Sequence, residues 1–211
     1  SLLLAVRAGV PVFATGGIGG VHRAPPGDES GDLIELSRSP VVVVCAGAKP
    51  TLDLRATHER LETLGVAVVG YQTSILPAFF TADSGIRLAA RVDSPTEIAR
   101  LFRAQRAVGS PGALLIVQPP PAEVAMSGAE VDRAVRAAET RAKAEGVSGS
   151  ALTPFLLASI RTETGDRSLA VNLALLERNA SLAAEIAVTL AVMGRVPESP
   201  HHASGRQGVR R

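Results

Sequence analysis

Short apolar runs recur along the chain and predict the strands of a buried sheet. The run at 41–44 is four consecutive valines, and the runs at 10–14, 66–70 and 112–117 are also mostly apolar. Runs that are apolar at every position are typical of strands covered by helices on both faces. A partly alternating stretch at 86–92 indicates an edge strand of the same sheet.

Segments with apolar residues three or four positions apart lie between these runs and predict helices. Ser94 and Glu97 match a capping box around Pro95, and Thr153 is expected to cap a helix that begins at Pro154. The remaining helices are predicted at 2–8, 33–37, 51–64, 130–145 and 169–193. Strands that alternate with helices predict an α/β fold with parallel crossovers.

Composition and charge limit the classes of protein to which this chain can belong. The 211 residues suit one domain, and 46% of them are hydrophobic, which is enough for a core. The 22 basic and 20 acidic residues nearly balance, and no basic stripe is interleaved with aromatic residues, so nucleic-acid binding is not favoured. The apolar runs are too short to span a membrane. Residues 195–211 are rich in Pro, Ser, Gly and Arg and predict a disordered basic tail.

The single cysteine, Cys45, excludes an intrachain disulfide and fits a reducing cytoplasm. It lies at the end of the valine run, in the segment VVVVCAGAK, which closes on Lys49. In open α/β sheets, ligands bind outside the carboxyl ends of the strands. Lys49 and Lys143 are the only lysines in the chain. A lysine at an apolar strand end can lose its proton and act as a nucleophile, or it can simply extend its amine into solvent.

A glycine-rich segment follows the first strand, from Thr15 through four glycines to His22. Glycines at this density let backbone N–H groups approach an anion closely. The alternative is a sharp turn that binds no ligand. The spacing matches neither a Walker loop nor a dinucleotide fingerprint.

An acidic loop comes next and contains Asp28, Glu29, Ser30 and Asp32. Oxygen ligands this close in sequence can bind a hard cation with the help of water. Alternatively, Ser30 or Asp32 caps the following helix, and the two roles are compatible.

Two further features of the sequence give a less specific indication of function. Phe79 and Phe80 are best explained as core residues. Asn172 lies in the long apolar helix at 169–193, which also contains Asn179. An asparagine is costly to bury unless it is hydrogen-bonded, so Asn172 faces either a ligand or a partner helix.

Six stretches together resemble the pseudouridine-5'-phosphate glycosidase family, and they are nearly colinear with it over residues 1–192. They are FATGGIGGVHR, DESGDL, VVVVCAGAK, GYQTSILPAFF, LTPFLL and AVNLALLERNA. The resemblance implies an indigoidine synthase A-like, three-layer α/β/α fold with a mixed, largely parallel central sheet. It also implies reversible cleavage of the C–C glycosidic bond of pseudouridine 5'-phosphate, a glycosidase or lyase reaction that gives uracil and ribose 5-phosphate.

The resemblance assigns a role to eight residues. Lys49 matches the nucleophile that forms a Schiff base with the ring-opened sugar, and Asp28 matches a ligand of Mn²⁺ that acts largely through water. The positions that line the sugar, the phosphate, the metal region or the base are Ser30, Gly31, Asp32, Thr15, His22 and Asn172.

The resemblance also predicts the setting of this reaction. Residues 1–194 correspond to the glycosidase domain, and the family resemblance implies a homotrimer. The family's general-acid glutamate and a phosphate-contacting lysine lie in a segment N-terminal to the matched part. We therefore expect this chain to be an N-terminally truncated member with little or no turnover by itself.

Two other functions fit the same residues. One is a lysine-dependent aldolase or lyase that acts on another sugar phosphate and shares the Schiff base. The other is a non-catalytic module that binds a phosphate or metal through the glycine-rich and acidic loops without turnover.

Overall fold

The computed structural model describes residues 1–23 and 27–194, and it has helices packed on both faces of a five-stranded sheet. The sheet strands are β1 (Val12–Ala14), β3 (Val42–Cys45), β5 (Ala67–Tyr71), β6 (Ala90–Val92) and β7 (Leu114–Val117). Two short strands outside it, β2 (Val21–His22) and β4 (Leu52–Asp53), pair antiparallel with each other.

The helices are α1 (Leu2–Arg7), α2 (Gly31–Arg38), α3 (Leu54–Thr63), α4 (Pro95–Ala107), α5 (Gly128–Ala144), α6 (Leu152–Glu163) and α7 (Arg167–Val192). None of the helices in the described part of the chain combines the length and the apolar character needed to cross a membrane. The predicted tail at 195–211 lies outside the described residues.

The five strands run in the order β1-β3-β7-β5-β6, and each pairing between them is parallel. The predicted α/β class with a largely parallel sheet is therefore confirmed. The strand β3 has partners on both sides, and all four of its residues are buried. Because the strands are parallel, the segments that follow them all emerge at one edge of the sheet.

Alternate residues of β3 divide the core between the two faces of the sheet. Val43 and Cys45 pack with α2 and α3, whereas Val42 and Val44 pack with α4 and the second half of α7. These two clusters give the three layers. A third cluster lies beyond the carboxyl edge, where Phe79 and Phe80 pack against α5, α6 and the first half of α7. The interpretation of both phenylalanines as core residues is thereby confirmed.

Several predicted element boundaries change in the structure. Helix α3 begins at Leu54 and not at residue 51, because Leu52 and Asp53 extend to pair with Val21–His22 before the helix starts. Asp53 then caps α3 by accepting a hydrogen bond from the backbone N–H of Ala56 at 2.9 Å.

The prediction that Thr153 caps α6 is wrong. The chain enters α6 through a 3₁₀ turn at Gly149–Ala151, and the N-cap residue Ala151 already has right-handed helical dihedrals. Thr153 therefore lies inside the first turn of the helix. By contrast, the capping box of Ser94 and Glu97 at the start of α4 is confirmed.

Candidate functional site

The glycine-rich segment runs alongside the residues that follow β3. Pairing between residues 15–18 and 44–49 continues past the end of the sheet, with a bridge between Ile18 and Ala48. The backbone N–H of Ile18 donates to the carbonyl of Gly47 at 3.0 Å, and the N–H of Lys49 donates to the carbonyl of Ile18 at 3.1 Å. Lys49 therefore starts from a fixed backbone position at the carboxyl edge of the sheet.

The glycines in this segment are needed because other parts of the protein pack against them. A Cβ at Gly17 would lie 2.5 Å from the Phe79 ring, and one at Gly19 would overlap the Ser30 hydroxyl. The N–H of Gly19 donates to Asp32 Oδ2 at 2.8 Å. This N–H is thus engaged by a side chain of the protein, and the predicted approach of the loop to an anion stays a prediction.

Lys49 lines a cleft of about 250 Å³. Its lining comes from residues 48–54, from residues 78–84 and from the start of α5. The polar residues of the lining are Arg23, Lys49, Thr81, Asp83, Ser84 and Asp132. Lys49 is half-buried at this position. A lysine in the lining of a cleft borders a space that a small substrate can enter.

The acidic loop is hydrogen-bonded to the glycine-rich segment. Ser30 caps α2 by accepting a hydrogen bond from the N–H of Asp32 at 3.2 Å, and its own N–H donates to the carbonyl of Gly20. Gly31, the first residue of α2, is exposed, and a Cβ there would meet no atom within 4 Å. The first turn of α2 is therefore open on the side of Gly31.

Thr15 and His22 mark the two ends of the glycine-rich segment. The carbonyl of Thr15 accepts a hydrogen bond from Asn179 Nδ2 at 2.8 Å. His22 lies on β2, where its N–H donates to the carbonyl of Asp28 at 2.9 Å. Both side chains are half-buried.

Asn172 and Asn179 have different environments on α7. Asn179 is fully buried and also accepts a hydrogen bond from Gln118 Nε2 at 2.9 Å. Asn172 is half-buried, and its Oδ1 would lie 3.4 Å from a Cβ at Gly16. Asn172 thus faces the glycine-rich segment, whereas Asn179 holds that segment against β7.

Among the predicted site residues, Lys49 alone belongs to the lining of the cleft in the described chain. The others lie around the glycine-rich segment, whose partner strand ends at Lys49. Cys45, four residues before Lys49, is not a second nucleophile, because its full burial raises the pKa of the thiol to about 12.

The donors available for Mn²⁺ are few. In residues 1–23 and 27–194, no three His, Cys, Asp or Glu side chains come close enough to enclose a metal. Asp28 is exposed, whereas Asp32 accepts from Gly19 and Glu29 pairs with Arg60 at 2.9 Å. The donor set fits a cation held by one carboxylate and several waters, and it does not fit a cage of protein ligands.

A family model described as indigoidine synthase A like protein matches residues 1–189. The chain belongs to this family.

Curated relatives of this indigoidine synthase A-like chain include two named pseudouridine-5'-phosphate glycosidase. The protein from Gemmatimonas aurantiaca is 60% identical over 90% of this chain and 62% of its own length. The protein from Chloroflexus aurantiacus is 50% identical over 92% of this chain and 65% of its own length. The chain therefore spans slightly less than two thirds of these relatives.

Two solved structures share the indigoidine synthase A-like fold. The prealnumycin C-glycosynthase AlnA, in complex with ribulose 5-phosphate, superposes with a TM-score of 0.84 and 35% identity, over 91% of this chain and 64% of AlnA. An indigoidine synthase A-like protein from Thermotoga maritima gives a TM-score of 0.84 and 39% identity, over 90% of this chain and 62% of its own.

Sequence reasoning missed most of the polar lining of the cleft. Arg23 follows the glycine-rich segment directly, and Asp83 and Ser84 form a polar turn after Phe79 and Phe80, so a local signal existed for these three. Asp132 had no such signal, because its position on α5 reads as part of a solvated helix face. Only the packing of α5 in the folded chain brings Asp132 to the cleft that Lys49 lines.

Proposed function

We propose that this chain carries the Schiff-base site of a pseudouridine-5'-phosphate glycosidase, with Lys49 as the nucleophile. The observation that carries the proposal is the position of Lys49, half-buried in a cleft at the carboxyl edge of a parallel sheet. Relatives of up to 60% identity bear this name, and the related AlnA is a C-glycosynthase solved with ribulose 5-phosphate.

The proposed reaction requires that the amine of Lys49 is uncharged when it attacks the sugar. In the cleavage direction, the Lys49 amine adds to C1' of the sugar while the bond from C1' to the ring oxygen breaks and that oxygen takes a proton. The bond between C1' and the uracil C5 then breaks. C5 keeps the electron pair and takes a proton, and the nitrogen lone pair forms the C1'=N bond. Water hydrolyses the imine and releases ribose 5-phosphate and Lys49.

The first turn of α2 is our candidate for the phosphate. Ser30, Gly31 and Asp32 begin this helix, and the helix dipole favours an anion at this end. The open space at Gly31 leaves room for a phosphate oxygen. Thr15, His22 and Asn172 surround the glycine-rich segment and are the candidates for contacts with the sugar and base.

Asp28 is the candidate residue for holding Mn²⁺. Its carboxylate is exposed, and it makes no hydrogen bond or ion pair within the described residues, so both oxygens are open to a hydrated cation. A divalent cation there supplies charge that offsets the dianionic phosphate. The test is the Mn²⁺ dependence of adduct formation, compared between the native chain and Asp28→Asn.

We also propose that the protein forms a homotrimer and is located in the cytoplasm. Leu173 on α7 is 59% exposed and Val188 is 64% exposed, and such apolar positions suit contact between copies in a homotrimer. A cytoplasmic location is supported by the single cysteine, since Cys45 is buried and unpaired. Light scattering during gel filtration measures the number of copies directly.

The deciding experiment is borohydride trapping. The chain is incubated with ribose 5-phosphate and Mn²⁺, reduced, and mapped by peptide mass. We expect a reduced pentose phosphate adduct on Lys49 and none on Lys143, which is the only other lysine and lies exposed on α5. The variant Lys49→Arg keeps the charge and should form no adduct. Equal labelling of both lysines in the folded chain would contradict the proposal.

A lysine-dependent aldolase or lyase acting on another sugar phosphate would form the same kind of adduct. The two enzymes differ in their response to uracil, which reacts with the imine only in the glycosidase. Addition of uracil before borohydride should therefore lower the yield of the Lys49 adduct. A non-catalytic module would bind ribose 5-phosphate without forming any adduct.

A further inference from the structure

Arg23 makes two hydrogen bonds to the segment that follows Lys49. Its Nε donates to the carbonyl of Leu52, and its Nη2 donates to the carbonyl of Pro50, both at 3.3 Å. The planar guanidinium offers several donors in a rigid fork, so it can fix two carbonyl groups at once. A lysine ammonium has no such fork.

Both of these carbonyls belong to a tight turn that begins at Lys49. The N–H of Leu52 donates to the carbonyl of Lys49 at 3.1 Å, which closes the turn over residues 49–52. Pro50, in the second position, fixes its own φ. The turn is anchored on one side by the bond from Lys49 to Ile18 and on the other side by Arg23.

Arg23 also contacts α5, the helix whose first turns line the cleft. Its Nη1 lies 3.8 Å from Oε1 of Glu139 on α5. Two turns earlier on the same helix, Val131 and Asp132 line the same cleft as Lys49. One side chain therefore joins the Lys49 turn to α5. The ion pair is half-exposed and weak, whereas the two carbonyl bonds fix the backbone.

We propose that Arg23 is a positioning residue for Lys49, which fixes the turn at 49–52 so that the amine projects into the cleft. The proposal rests on the proposed function, in which that amine attacks the sugar carbon. Reactions of this kind are sensitive to placement, and a shift of about 1 Å can cost about a hundredfold in rate.

The first measurement needs no substrate and uses the other lysine as an internal reference. The folded chain is treated with a low concentration of acetic anhydride, and acetylation of Lys49 is compared with that of the exposed Lys143 by peptide mapping. Arg23→Gln and Arg23→Lys should both raise the ratio of Lys49 to Lys143 labelling. Each removes the two-carbonyl fork that holds Lys49 half-buried.

The second measurement is the rate of borohydride trapping with ribose 5-phosphate. In both Arg23 variants the rate should fall by between about tenfold and a hundredfold. Glu139→Gln leaves the carbonyl bonds intact and should change either readout little. Arg55→Gln is the matched control, because Arg55 is exposed on α3 and makes no hydrogen bond or ion pair within the described residues.

The outcomes distinguish failure of the positioning role of Arg23 from failure of the proposed function. Full rescue of trapping by Arg23→Lys would mean that charge is what matters, and it would overturn the positioning role. Slower trapping with an unchanged acetylation ratio would indicate direct contact between Arg23 and substrate and would also overturn it. If the native chain forms no Lys49 adduct at all, the proposed function fails, yet the acetylation ratios still decide the role of Arg23. Circular dichroism confirms that each variant is folded.

Discussion

Replacement of Asn179 by leucine should destabilise the protein strongly, because this amide joins three parts of the fold. Asn179 is 0% exposed and lies on α7. Its Oδ1 accepts from Gln118 at the end of β7, and its Nδ2 donates to the carbonyl of Thr15 at the end of β1. Leucine is similar in shape and makes neither bond.

The structure sets the expected size of this effect. Asn179→Leu leaves one donor of Gln118 and the carbonyl of Thr15 without these partners, and Gln118 is only 1% exposed. A buried polar group left unpaired costs about 1–3 kcal/mol, and the half-buried Thr15 carbonyl costs less because water reaches part of it, so the two together cost about 2–4 kcal/mol. Typical domains have a net stability of about 5–15 kcal/mol. The loss is thus a large part of the total.

Urea unfolding followed by far-UV circular dichroism measures the change, since the chain contains no tryptophan for fluorescence. The double variant Gln118→Leu with Asn179→Leu removes both partners of one bond, so it should be less destabilised than the sum of the two single variants. Asn172→Leu, half-exposed on the same helix, is the control and should change stability by about 0.5 kcal/mol or less. Strict additivity, or an Asn179→Leu effect as small as the control, would refute the reasoning.

Two other predictions concern the same edge of the sheet. Gly17→Ala should cost about 1–3 kcal/mol in urea unfolding, because the new Cβ would lie 2.5 Å from Phe79 and 2.9 Å from the Gly47 carbonyl. Gly31→Ala, which meets no atom, should be near neutral, and equal effects would contradict this. Cys45 should resist alkylation in the folded chain and react after unfolding, because burial raises its pKa to about 12. An unfolded thiol ionises above about pH 8.5, so the stabilisation from Cys45 is complete below that pH and is lost as the pH rises toward 12. Stability that is flat across this alkaline range would contradict the shift.

The buried strands were the easiest part of the fold to predict. Four valines in a row have no polar face, so 41–44 had to be covered on both sides, and β3 has strand partners at both edges and helices on both faces. The capping box at Ser94 was equally clear, since it needs only neighbouring residues. Patterns of this kind can be predicted because they depend only on residues that are close together in the sequence.

The wrong boundaries arose where distant residues override a local pattern. The leucine spacing at 51–64 favours a helix throughout, yet Leu52 and Asp53 pair with Val21–His22, some thirty positions earlier in the chain. Thr153 followed by Pro154 matches a helix start, but the 3₁₀ turn before it carries the chain into helical geometry two residues sooner.

The candidate site likewise contains residues that a local pattern indicates and residues that no local pattern indicates. Lys49 could be found because it ends a buried strand and is one of only two lysines. Two other polar residues of the lining, Asp83 and Asp132, belong to a loop and a helix that meet Lys49 at one cleft only in the folded chain. No spacing in the sequence could bring them together.

The place of β7 in the sheet bears on how the chain folds during synthesis. This strand is made last of the five, at residues 114–117, yet it lies in the middle of the sheet between β3 and β5. Until it emerges from the ribosome, the pair β1–β3 and the pair β5–β6 have no strand to join them. Their inner edges are valine-rich, and open edges of this kind pair readily with other chains. Aggregation should therefore compete with folding mainly while synthesis has not yet passed residue 117.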